Sequence, residues 1–78
     1  MLSFIYSLVN GFESSHGIRP NLLYLNEIHL QRLIEQFDPE YDLFKIMDFL
    51  SMEIIIDKTL VHPHVGWSRI MERPAATG

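Results

Sequence analysis

The residues best equipped for chemistry lie in one short stretch, "VHPHVGW", residues 61–67. His62 and His64 flank Pro63, and two imidazoles two positions apart on a strand point to the same side. That arrangement is half of a zinc site, which needs at least one more ligand. Asp57 offers a carboxylate just upstream, and His29 offers a further imidazole. The same residues suit acid–base work, with Asp57 orienting His62 across a hairpin. Trp67 is the single tryptophan, and its flat apolar ring could hold a small molecule. Pro63 weighs against the metal reading. It has no N–H to give to a ladder, so it belongs at a sheet edge or ahead of the strand, and it disturbs the alternation that would align the two rings. Read for structure alone, the stretch is a polar connection entering a last strand, with Val65 and Trp67 turned to the core.

Two other groupings invite the same question. Ser14-Ser15-His16 resembles a nucleophile beside a base, but adjacent residues on a helix do not face one another; the polar last turn of a helix is the simpler account. Asn26 and His29 stand at a strand-to-helix junction, where free N–H groups can hold an anion. No glycine is present there, and Glu27 would repel an anion, so helix capping by Asn26 explains the pattern without a ligand. No residue is assigned a catalytic role. The binding candidates are Asn26, His29, Asp57, His62, His64 and Trp67; no cofactor is expected, and His62 and His64 are the metal candidates should the alternative, zinc, be bound.

Composition narrows the function classes. The chain has 78 residues, enough for one domain with a thin core. There is no cysteine, which excludes disulfides and thiolate metal sites. The net charge is −4, and the basic residues Arg19, Arg32, Lys45, Lys58, Arg69 and Arg73 are scattered, so no stripe exists to track a nucleic-acid backbone. The opening "MLSFIYSLVNGF" has no basic residue ahead of its apolar run and no small-residue cleavage site. It is also too short to span a bilayer. The expectation is a cytoplasmic protein without membrane attachment. Hydrophobic residues make up 47% of the chain, more than so small a body hides easily, and a homodimer or another protein partner would cover the excess.

The elements follow from spacing. Leu2, Ile5, Leu8, Val9 and Phe12 recur at helical intervals, predicting a helix over 2–16 that ends at Gly17. "NLLYLN" predicts a buried strand over 22–25. Asn26 then caps a second helix whose apolar face is Leu30, Leu33, Ile34 and Phe37. In "FDPEY", Asp38 suits a cap and Pro39 a first helical position, predicting a third helix from there through Leu50. "MEIIID" predicts a second strand, with Met52, Ile54 and Ile56 on one face and Glu53, Ile55 and Asp57 on the other. "HVGWSRI" predicts a third strand. The aromatic residues Phe4, Tyr6, Phe12, Phe37, Phe44, Phe49 and Trp67 are expected in the core. Both of the first two strands are apolar on both faces, so either the first helix or a second copy of the chain should cover the back of the sheet.

The order is therefore α-β-α-α-β-β, an α+β domain over residues 1–71 with helices packed on a small three-stranded sheet and a flexible tail over 72–78. Whether the first two strands run parallel is open at this stage. The runs "RPNLLYLNEIHLQRLI" and "MEIIIDKTLVHPHVGW" resemble small bacterial and phage-related domains of unassigned function, and in outline a strand–helix–strand segment of tailed-phage capsid proteins. That resemblance spans roughly residues 19–67 and consists of a cap, a helix face and two strands; it implies a fold and no active-site residue. The functional expectation is a non-enzymatic protein-interaction domain that forms homo-oligomers, with a metal-binding or hydrolytic site around His62, His64 and Asp57 as the alternative.

Overall fold

A computed structural model describes residues 1–69, so the tail expected over 72–78 lies outside the described residues. The element order is α1 (Leu2–His16), β1 (Leu22–Leu25), α2 (Glu27–Ile34), α3 (Leu43–Leu50), β2 (Glu53–Ile56) and β3 (His64–Gly66). This is the expected α+β arrangement. No helix among the described residues is long and apolar enough to cross a membrane.

Local signals account for most boundaries. Gly17 ends α1 in the left-handed conformation at φ 73°, its N–H bonded to the Glu13 carbonyl, a geometry that glycine adopts without a Cβ penalty. Asn26 caps α2. α3 departs from expectation: it starts at Leu43 and is capped by Asp42, whose Oδ1 accepts from the Lys45 N–H at 2.9 Å. Asp38 instead begins a turn closed by the Tyr41 N–H on its carbonyl. α2 also stops earlier than its apolar stripe, at Ile34, and Phe37 falls in the link. There its ring meets Tyr41 at 5.5 Å and Phe49 edge-on at 5.4 Å. Packing of the link around Phe37 thus overrides the helix signal of Asp38-Pro39. α3 ends at Ser51, which takes the left-handed conformation at φ 58° without being glycine.

The sheet order is β2-β1-β3. β1 and β2 run parallel, pairing Leu23 with Ile54 and Leu25 with Ile56. β1 and β3 run antiparallel, pairing Leu23 with Val65 and Tyr24 with His64. The two helices between β1 and β2 form the crossover that parallel neighbours require. Leu23 and Leu25 share a core cluster with Ile5 and Val9 of α1, Leu33 of α2, and Ile46 and Leu50 of α3. The three helices therefore meet the same face of the sheet, and α1 does not cover the back. Leu22 and Tyr24 lie on that other face by alternation; Leu22 is only 4% exposed, and the Tyr24 ring lies against Gly66, where an added Cβ would sit 3.4 Å from it.

The core itself is aliphatic, which corrects the expected role of the aromatic residues. Phe4, Tyr6, Phe44, Phe49 and Trp67 are all exposed to a substantial degree. The helices present leucine, isoleucine and valine inward because two short layers leave little depth for a ring. At the β2 edge, Glu53 and Asp57 donate inward to the Asn21 and Leu25 carbonyls, so the intervening Ile54 N–H points outward by alternation. It meets the Met47 sulfur at 3.4 Å.

Candidate functional site

The candidate residues gather around one topological necessity. β2 and β3 lie on opposite sides of β1, so the chain leaving Ile56 must cross the C-terminal end of β1 before β3 begins. Residues 57–63 make that crossing, and they carry Asp57 and His62. Asp57 is settled first. Its Oδ1 accepts from the Thr59 N–H at 2.9 Å and from the Thr59 hydroxyl at 2.6 Å, and these bonds hold its carboxyl below the ordinary carboxylate value. Such a turn is the usual local use of an aspartate in a connection.

Asn26 stands where the crossing passes over β1. Its Oδ1 accepts from the His29 N–H at 2.8 Å, and its Nδ2 donates to the Leu60 carbonyl at 2.9 Å. The Asn26 backbone N–H in turn donates to His29 Nδ1 at 3.2 Å, completing a capping box. Asn26 thus caps α2 as expected, His29 joins it as the third residue of the box, and both side chains are committed to holding the junction. Lys58 adds an exposed ion pair with Glu27 at 3.6 Å, which contributes little on its own.

The histidine pair is placed differently. β3 begins only at His64, so His62 lies in the crossing and not on the strand. The strand alternation that would aim both rings to one side is therefore missing. Pro63 precedes the strand, as its lost N–H required, and it is buried while both histidines are exposed. Among the described residues no group of three or more histidine or carboxylate side chains is placed to hold a metal ion. His64 borders an open groove of about 410 Å³ between Ser7, Gly11 and Ser15 of α1 and Val65 of β3; neither Asp57 nor His29 lines it. Trp67 falls beyond the end of β3 and is 41% exposed, while Val65 is half-buried against the core.

Residues that the sequence reading passed over do as much at the opposite end of β1. Asn21 Nδ2 donates to the Ser68 carbonyl at 2.9 Å, and the Ser68 N–H donates back to Asn21 Oδ1 at 3.0 Å. The only sequence signal was that asparagine bounds "LLYL" on both sides; the partner is 47 positions away. Comparison with known proteins assigns the fold to no family: no family model, curated protein or solved structure matches the chain.

Proposed function

We propose that this chain is a non-enzymatic protein-interaction domain that acts as a homodimer. The observation supporting the reading is the composition of α3. Six of its eight residues are apolar. Ile46, Met47 and Leu50 turn inward, while Phe44 is 71% exposed and Phe49 55% exposed, with Leu43 also at the surface. Only Lys45 and Asp48 are polar, and the exposed rings of Phe44 and Phe49 flank that pair, so the apolar surface of α3 is wider than the side it buries. Exposed aromatic rings on a small acidic domain are the kind of surface that protein partners cover. The carboxylate that would serve a hydrolytic His62 is bonded to Thr59, which weakens the catalytic alternative.

Light scattering on the full chain tests this. The expected mass is twice that of the 9.1 kDa chain, and Phe44→Glu should return it to the mass of one chain while leaving the far-ultraviolet circular dichroism unchanged. A wild-type protein that stays monomeric at high micromolar concentration overturns the reading.

A further inference from the structure

The capping box at the start of α2 has an unusual third residue. A glutamate or glutamine normally reaches back to the capping residue's N–H; here a histidine does, through Nδ1. Only the neutral ring can accept that bond. Protonation converts Nδ1 into a donor facing another donor, and it places a positive charge in the first turn of a helix, where the dipole opposes it.

We propose that His29 makes this junction a pH-sensitive latch on the 57–63 crossing. The connection runs through one residue. Asn26 holds the His29 N–H and the Leu60 carbonyl with the two ends of a single amide, so a displaced Asn26 backbone moves both. Releasing Leu60 frees the crossing that leads into His62, Pro63 and His64. The ionisable groups on the elements meeting here are Glu27 and Arg32 of α2, Tyr24 of β1, and Asp57, Lys58 and His62 of the crossing. Glu27 pairs with Lys58, and Asp57 is held by Thr59. Among the described residues the one hydrogen bond of the His29 ring is the bond to Asn26. The direction follows: the latch is closed while the ring is neutral and is withdrawn when the ring is protonated, because the unfolded chain takes up the proton without losing this bond.

His29→Gln supplies the test, since glutamine keeps a capping-box acceptor and does not titrate. Urea unfolding of wild type and His29→Gln is measured from pH 8 to pH 5; His16, His62 and His64 are common to both chains, so the difference isolates position 29. The folding constant of wild type should fall relative to His29→Gln by on the order of fivefold across that range, one hydrogen bond's worth. Curves that remain parallel overturn the latch. The wild-type chain alone gives a second measurement: the Asn26 and Leu60 amide resonances should shift together with the His29 ring protons as the pH falls. Asn26 and Leu60 amides that ignore that titration overturn it equally.

Discussion

Asn21 and Asn26 stand at opposite ends of β1, and each directs its side-chain amide to a distant carbonyl, Ser68 in one case and Leu60 in the other. The resemblance stops there. Asn26 also caps a helix that begins one residue later, so half of its work is local. Asn21 caps nothing; its two side-chain bonds both reach Ser68, and its backbone N–H bonds the Gly66 carbonyl while its C=O accepts from Glu53. One end of the central strand is fastened to a helix and a crossing, the other to the segment after β3. A three-stranded sheet whose middle strand has four residues has few ladder bonds, and its ends must be closed by side chains.

Substitutions at the two ends separate these roles. Asn26→Ala removes both the cap and the Leu60 bond, and should lower unfolding stability by about 2–3 kcal/mol, the sum of the two effects. Asn21→Ala removes two bonds and no cap; about 1–2 kcal/mol is expected, with loss of amide protection at Ser68 in hydrogen exchange while α2 stays protected. Asn26→Asp keeps the helix cap and removes the donor to Leu60, so about 1 kcal/mol is expected and the crossing, not α2, should lose protection. The smallest effect belongs to Thr59→Ala, at the far side of the crossing. The bonds from Thr59 lower the Asp57 carboxyl. Their contribution is present above the ordinary carboxylate range and is lost as the pH falls through the lowered value. Thr59→Ala should therefore be slightly less stable than wild type at pH 7 in urea titration, and the gap should close in acid.

The same contrast explains what the sequence disclosed. Gly17, Asn26 and the run Leu22–Leu25 act through neighbours a few residues away, and α1 and β1 have the expected limits. Asp38 reads as the cap of the third helix, yet Asp42 caps it, and the packing of Phe37 on Tyr41 and Phe49 keeps the intervening residues out of the helix. The parallel pairing of β1 with β2 depends on where a pair of helices delivers the chain, which no local spacing records. The candidate site divides along that line too. Asn26 and His29 meet through a three-residue spacing visible in the sequence. The third strand starts at His64 as expected, which leaves His62 in the connection and the two rings without a shared face; Asp57, expected to meet His62 or a metal, is taken by Thr59, two residues on.

The contact between the Ile54 N–H and the Met47 sulfur at the β2 edge has a bearing on solubility. "EIII" is β-branched, apolar and at the rim of a sheet, the kind of segment onto which further chains add strand by strand into fibrils. Templated growth needs a row of unoccupied backbone donors and acceptors. In a four-residue edge with two outward N–H groups, a methionine from α3 occupies one of them, which leaves an incoming strand a broken template. The interruption at Ile54 comes from the tertiary fold, through a side chain of α3, and not from a residue within the strand itself.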